Sequence, residues 1–326
     1  MKPDIKRVKS LYGVQSFDAA ANYAKKNFKD AGGIILARNL EHVSAEIFTQ
    51  EFAGLTFLQQ GIEVNNEGGY STSIRKLKLR TEGGFRESGS GTNTTGKITL
   101  SGEDDSIPVF TMEGESDWSE IELKQAELEN INLPSRFFEG HAELYNRKID
   151  DIGFLGQVRT DGSQKTTGLL NYGFTSESAV KTAAASTGAE LYDEIAELIT
   201  AQWAGVLNVD SYKADRVTMP ASVYNICSTK ILNSAGSEMS VLRALQSNFP
   251  TVTFGLTTKA ESVGAEGDSV TVAFSSNRRA LQFRLPVPLN VSSVDQRGFK
   301  YYVESYFGVA GLDVIEDDAA QILTGL

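Results

Sequence analysis

The chain has 326 residues, of which 40% are hydrophobic and 22% are charged. This composition is that of a folded globular protein rather than a disordered chain, and the length favours two packed lobes with extensions. The formal net charge of -11 argues against tight wrapping on nucleic acid,, and no stretch approaches the ~20 apolar residues that a membrane span needs.

The N-terminal region differs from the rest of the chain in charge. Residues 1–38 hold eight basic and three acidic side chains, so a basic arm precedes an acidic body. Apolar residues recur at helical spacing from Phe17 to Phe28. We predict an amphipathic helix joined to the body by a hinge at Gly32 and Gly33, and a second short helix from Ser44 to Gly54. The basic arm suits a polyanion or an acidic neighbour, and a solvated tail fits it equally well.

Residues 67–108 are predicted to form an extended two-stranded arm. Leu77 and Leu79 alternate with basic residues, and after a glycine-rich tip the chain returns through Lys97 to Leu100 with the same period of two,. A lone two-stranded ribbon is marginally stable in water, so the arm needs support. Because its apolar side is thin, we expect that support to be the surface of a neighbouring subunit. We therefore predict that several copies of the chain assemble, with the arm of one copy lying on another.

Helical patterns dominate the next segment. After a short strand at residues 109–112, Ser116 and Asp117 are predicted to cap a helix, and Ser119 with Glu122 has the spacing of a capping box. A longer amphipathic helix is predicted at about residues 134–154, with Gly153 and Gly156 ending it. Acidic residues are frequent here, which predicts a long acidic helical surface.

The remainder predicts a second lobe and a closing sheet. Small residues up to Gly188 read as a loop. Helices are then expected at 189–204, 221–232 and 239–247, and strands at 216–219, 252–256 and 270–274. Strands at 280–285, 298–308 and 311–315 are expected to extend a sheet.

No constellation in the sequence predicts catalysis, a cofactor or a metal. Gly91 to Lys97 has phosphate-loop spacing, but Ile98 stands where Ser or Thr must hold magnesium, and a strand follows. His42 and His141 lack a second ligand at helical spacing. Cys227 is predicted to be a buried small hydrophobe. We therefore expect a protein that is not an enzyme.

Several local sequences carry a resemblance to a known family. They are listed here in chain order: Leu36–Leu40, Gly168–Asn171, Met219–Tyr224, Leu285–Pro286 and Tyr301–Val303. Together with the order of arm, two-stranded loop, long helix, α/β lobe and closing strands, the chain from about residue 36 onward resembles the major capsid proteins of tailed bacteriophages. These share the Hong Kong 97-like fold with encapsulin shells.

The resemblance implies an α+β fold with defined parts. These are an N-terminal arm (1–38), a peripheral domain (39–66, 109–175 and 287–326) with its spine helix at about 134–154, an extended β-hairpin loop (67–108) and an α/β axial domain (176–286). It implies inter-subunit contacts between basic residues of the loop and acidic residues near the spine of a neighbour. The candidates are Arg75, Lys76, Lys78, Arg80, Arg86, Glu115, Glu120, Glu122 and Glu127.

The resemblance also implies a function and partners. Copies would assemble through hexamers and pentamers into an icosahedral shell in the bacterial host cytoplasm, enclosing double-stranded DNA without sequence-specific binding. Scaffolding, portal and decoration proteins are possible partners, and no membrane is involved. An encapsulin-type cargo shell is the first alternative. A small-molecule enzyme and another self-assembling structural protein, such as a tail or surface-layer component, are further ones.

Overall fold

The computed structural model describes residues 55–85, 97–128, 131–159, 164–206, 209–233, 237–264 and 267–326. Both predicted N-terminal helices, the Gly32–Gly33 hinge, His42 and the tip of the arm with Arg86 lie outside these residues. Among the described helices, none is long and apolar enough to cross a membrane.

Helices and strands alternate irregularly along the described chain. The α-helices are α1 (Glu120–Leu128), α2 (Leu133–Leu155), α3 (Gly188–Gly205), α4 (Ala221–Thr229) and α5 (Val241–Asn248). The strands are β1 (Glu63–Asn65), β2 (Ser73–Gly83), β3 (Ile98–Pro108), β4 (Phe110–Ser119), β5 (Gln157–Val158), β6 (Gln164–Thr166), β7 (Thr175–Ser178), β8 (Arg216–Pro220), β9 (Ile231–Asn233), β10 (Ser237–Ser240), β11 (Thr253–Thr257), β12 (Val270–Phe274), β13 (Leu281–Arg284), β14 (Val287–Val291), β15 (Asp295–Arg297), β16 (Lys300–Val309), β17 (Gly311–Val314) and β18 (Ala320–Thr324). Short 3₁₀ turns lie at Phe57–Gln60, Asp210–Tyr212, Thr258–Ala260 and Asp317–Ala319.

The long helix α2 begins and ends at residues suited to those positions. The Asn132 side chain accepts a hydrogen bond from the Ser135 amide, and Pro134 occupies the first turn, where a missing N–H costs nothing,. At the other end Gly156 has φ 72°, and a Cβ there would lie 2.0 Å from the Thr166 carbonyl oxygen. Only glycine fits this position, so the helix stops as predicted at Gly156.

A four-stranded sheet lies beside α2. β4 pairs antiparallel with β16 over ten residues, from Phe110 opposite Val309 to Ser119 opposite Lys300. β14 and β15 pair with β16 along its other edge. The Trp118 ring stacks on Phe137 of α2 with centroids 4.9 Å apart, which helps to hold the helix on one face of this sheet,.

A five-stranded sheet organises the second half of the chain, in the order β11-β8-β12-β18-β7. β8 runs parallel to β11 and antiparallel to β12, and β12 runs antiparallel to β18. The middle strands are almost wholly buried, and α3, α4 and α5 contribute apolar side chains to the same core cluster. The helix α3 opens with a capping box between Thr187 and Glu190, as its sequence favours,.

A second core cluster joins the first 3₁₀ turn to α2 and the closing strands. Its centre is a group of three aromatic rings: Phe57 meets Phe154 edge-on at 5.3 Å and Phe283 at 5.0 Å. Gly153, inside α2, makes room for this packing, because a Cβ there would lie 2.4 Å from the Phe57 ring. The buried Asp150 carboxylate accepts hydrogen bonds from the amides of Thr56 and Phe57 and fixes the turn on the helix.

The structure corrects several local predictions. Ser116 and Asp117 belong to strand β4, which runs on to Ser119, and do not cap a helix. Gly153 lies within α2 and does not end it. The predicted loop before Gly188 contains strand β7, and the predicted helices 221–232 and 239–247 are shortened by the two-stranded pair β9–β10. For β4 and β7, pairing with a distant strand outweighs the local pattern, and at Gly153 close packing against Phe57 does so,. The pair β9–β10 instead joins residues close together in the chain, a pairing that the helical spacing did not reveal.

One strand departs from the expected order of parts. β18, within the predicted peripheral segment 287–326, pairs with β12 near the middle of the five-stranded sheet. β7, at the start of the axial segment, forms that sheet's edge beside β18. The sheet assigned to the axial segment 176–286 is therefore completed by β18, which comes from the C-terminal end of the chain.

Candidate assembly surfaces

The predicted arm is a regular hairpin. β2 and β3 pair antiparallel without a bulge, from Ser73 opposite Pro108 to Gly83 opposite Ile98. Since side chains alternate between faces, this register gathers the apolar residues on one face. We call this set the apolar stripe, and its members are between 54% and 67% exposed: Leu77, Leu79, Ile98 and Leu100.

Arg75 shares the face of the apolar stripe and has a partner within the hairpin. Its Nε donates a 2.6 Å hydrogen bond to Oδ1 of Asp104, which stands on the opposite strand. This hydrogen bond lowers the pKa of the Asp104 carboxyl,. Both side chains are exposed, so the pair contributes little to stability,. Arg75 is thus engaged in its own chain, and its predicted contact with a neighbour stays a prediction.

The opposite face of the hairpin is charged and anchors its base. Lys76 Nζ lies 2.7 Å from Oδ1 of Asp313 and 2.9 Å from the carbonyl oxygen of Val314. The Asp313 side chain is 1% exposed, and its second oxygen accepts a 3.0 Å hydrogen bond from Arg284 Nε. Buried carboxylates need such partners. Lys76 therefore joins the hairpin to the β13–β17 sheet, and Asp105 beside it on β3 completes the contact at 3.2 Å.

Lys78 lies further out on the same charged face. It stands opposite Glu103 in the register of the hairpin, but among the described residues it makes no ion pair. The side chain of Arg80 and all of Arg86 lie outside the description. Lys78 is thus a described hairpin cation whose charge is available to a partner.

The outer face of the β4–β16 sheet is acidic. Ser116 and Trp118 point towards α2, so the alternate residues of β4 point away from it,. Glu115 stands directly opposite Glu304, and like charges in that position destabilise a strand pair,. Glu304 approaches Arg297 at 3.5 Å. We call this the acidic face, and it consists of Glu113, Glu115, Asp117 and Glu304, with Lys300 at its end.

The other predicted acidic residues lie on α1. Glu122 closes the predicted capping box: its carboxylate accepts a 2.7 Å hydrogen bond from the Ser119 amide, which lowers the pKa of Glu122. Glu120 pairs with Lys124 one helical turn away,. Glu127 follows on the same helix. The structure thus separates the predicted acidic set, with Glu115 on the sheet and the rest on α1.

Two other side chains of types that can take part in catalysis, His141 and Cys227, have structural roles here. His141 lies between two hydroxyls, with Nε2 2.9 Å from Ser116 Oγ and Nδ1 2.8 Å from Ser305 Oγ. It joins α2 to the sheet, a role that the sequence did not reveal. Burial raises the pKa of the Cys227 thiol to about 12, as expected of a core cysteine,. Within the described ranges, no three His, Cys, Asp or Glu side chains are grouped as metal ligands.

Comparison with known proteins settles the family. The model of the major capsid protein family matches residues 88–326, which is more than half of the chain. The chain belongs to the major capsid protein family. A solved structure, the capsid of Myoviridae phage XM1, is 78% identical, and the match covers 90% of this chain and 100% of that one with a TM-score of 0.83. This major capsid protein is thus a bacteriophage capsid component that forms a multi-subunit shell.

More distant structures share the fold alone. The capsid of the native GTA particle is 12% identical, with 91% of this chain and 99% of that chain covered and a TM-score of 0.65. The protein of Mycobacterium phage Ogopogo is 11% identical, with 87% and 96% covered and a TM-score of 0.58. Among curated proteins, none matches the sequence significantly. The predicted Hong Kong 97-like α+β capsid fold is confirmed.

Proposed function

We propose that this capsid protein assembles through hexamers and pentamers into an icosahedral shell around double-stranded DNA, and that its hairpin lies on a second copy of the chain. The apolar stripe carries the proposal. Burying one Leu or Ile side chain fully is worth about 1.5–3 kcal/mol. Four such side chains, each more than half exposed in the single chain, could therefore supply several kcal/mol per copy.

Charge would set the register of that contact. On the acidic face, Glu115 stands opposite Glu304, and a nearby cation would reduce the repulsion between these two carboxylates,. Lys78 offers a cation, and because it lies on the hairpin face opposite the apolar stripe, it would reach such an acidic residue from the edge of the contact rather than from its buried centre,. Exposed ion pairs are each worth about 0–1 kcal/mol, so they would select the alignment while apolar burial supplies the affinity. The remaining predicted contacts, Arg80, Arg86, Glu120, Glu122 and Glu127, belong to the same proposal.

The proposed parts keep their expected roles. Residues 39–66, 109–175 and 287–326 would form the peripheral domain, with α2 as its spine. Residues 176–286 would form the axial domain around each capsomer centre, and β18 from the end of the chain would complete its five-stranded sheet. Assembly would take place in the bacterial host cytoplasm, with scaffolding, portal and decoration proteins as candidate partners. The net charge of -11 suits a container whose DNA must slide rather than adhere,.

The alternatives have less support. An encapsulin-type shell would enclose protein cargo, whereas the 78% identical relative is a phage capsid. A small-molecule enzyme would need convergent catalytic groups, and His141 and Cys227, the described residues best suited to such chemistry, have structural surroundings. Membership of a capsid family supports a structural role.

Assembly of stripe variants tests the proposal. Leu77→Ser with Leu79→Ser should prevent or strongly reduce closed shells in electron micrographs, while the circular dichroism of unassembled subunits stays unchanged. Leu144→Ser is the matched control, because Leu144 is 62% exposed but belongs to α2 and not to the hairpin. Shells of normal yield from the double variant would refute the role of the stripe.

A further inference from the structure

A cavity of about 260 Å³ lies between the first 3₁₀ turn and strand β11. β11 forms an edge of the five-stranded sheet, so one side of this cavity is an unpaired strand,. The residues that line it are Thr56, Gln59, Gln60, Arg216, Thr253, Gly255 and Leu256. The cavity thus combines a cation, amides and hydroxyls with an apolar wall.

Arg216 lines this cavity, and several of its hydrogen-bond donors have no partner or only a distant one. Its guanidinium lies against Gly61, where a Cβ would come within 2.6 Å of Nη2, so the glycine makes room for it. Nε is buried without a hydrogen-bond partner, and Nη1 reaches the Gln59 carbonyl oxygen only at 3.5 Å. The adjacent Asp215 carboxylate is hydrogen-bonded to Ser276. Within the described part of the chain, no carboxylate pairs with Arg216.

We propose that this cavity receives a carboxylate side chain from a second copy of the chain in the assembled shell. A planar carboxylate can accept two hydrogen bonds from a guanidinium, which here would come from the terminal nitrogens Nη1 and Nη2 of Arg216, since Nε is buried,. Leu256, 39% exposed at the rim, would pack on the methylene groups of the incoming Asp or Glu. With 42 acidic against 31 basic residues, each copy offers many carboxylates. The net negative charge disfavours a nucleic-acid phosphate as the occupant.

Photo-crosslinking identifies the occupant directly. A photoreactive benzoylphenylalanine replaces Leu256, and shells are assembled from equal amounts of ¹⁴N- and ¹⁵N-labelled protein. After irradiation, mass spectrometry should find mixed-isotope cross-links to a peptide that contains Asp or Glu. Cross-links confined to one copy, cross-links to nucleic acid, or no cross-link in well-formed shells would each overturn the proposal.

Substitution tests the same contact by its energetics. Arg216→Gln should raise the subunit concentration needed for shells by about tenfold or more, the effect expected when a charged hydrogen-bonded contact is lost at each interface. Arg279→Gln, an exposed arginine without an ion pair in the described part of the chain, should assemble as the unmodified protein does. The thermal unfolding of unassembled subunits checks that both variants fold.

The inference rests on the proposed shell, and these experiments separate the two. If the unmodified protein forms no shell, the proposed function fails. If it forms shells and Arg216→Gln assembles at the same concentration, only the cavity proposal fails.

Discussion

Replacing Lys76 with methionine should loosen the hairpin. The ammonium group makes two short hydrogen bonds to Asp313 and Val314 at a site where its side chain is 14% exposed. Hydrogen bonds to charged groups contribute about 1.5–3 kcal/mol each. Removing one partner of a buried ion pair costs about 3–5 kcal/mol. Here Asp313 keeps its second partner Arg284, so we expect a cost within the range of about 1.5–3 kcal/mol given for a single charged hydrogen bond,. We expect a loss of about 2 kcal/mol, or about 30-fold in the opening equilibrium.

Hydrogen exchange of unassembled subunits, followed by mass spectrometry, measures that opening. An isolated two-stranded ribbon is marginally stable, so detaching the base should speed exchange in peptides covering Ser73–Gly83 by about 30-fold. Lys78→Met is the matched control: it removes the same charge from the same strand face, two residues away, where the described chain provides no ion pair. Its exchange should stay within about twofold of the unmodified protein. Equal effects of Lys76→Met and Lys78→Met would refute the anchoring role.

Three further predictions follow from local geometry. Gly153→Ala should lower the free energy of unfolding by about 1–3 kcal/mol, because its methyl group would overlap Phe57,. Gly140→Ala, in the same helix with open space around it, should raise the free energy of unfolding by up to about 1 kcal/mol,. Urea unfolding compares the two variants. Hydrogen bonds from Lys181 and from Thr187 at the helix cap hold the pKa of Glu190 at about 2 in the folded state. The stability that Glu190 contributes is present above pH about 4.5 and should be lost as the pH falls towards 2,. Glu190→Gln should therefore flatten the plot of melting temperature against pH in this range. The Cys227 thiol should react with iodoacetamide only on unfolding, and rapid alkylation of the native protein would contradict its burial,.

The sequence was most informative where structure depends on neighbouring residues. The alternation around Leu77 and Leu79 predicted a hairpin because a period of two is a local property of strands. The capping box at Ser119 and the glycine stop at Gly156 were also predicted correctly, since caps involve residues a few positions apart. These signals located the arm and the long helix, and hence the general architecture.

Contacts between distant residues could not be predicted in this way. Lys76 meets Asp313 across 237 positions, and nothing near either residue indicates the other. β7 is a polar run of Thr, Ser and Glu that becomes a strand only because β18 lies beside it. Ser116, which reads as a helix cap, lies in a strand because β16 pairs with it and His141 bonds its hydroxyl. In such cases tertiary pairing outweighs local preference.

Cryo-electron microscopy of the assembled protein tests the central claim most directly. The account predicts closed shells in which the hairpin from Ser73 to Pro108 crosses to a neighbouring copy and the apolar stripe is buried there. Shells in which the stripe faces solvent, or protein that stays monomeric or dimeric under every assembly condition, would contradict it.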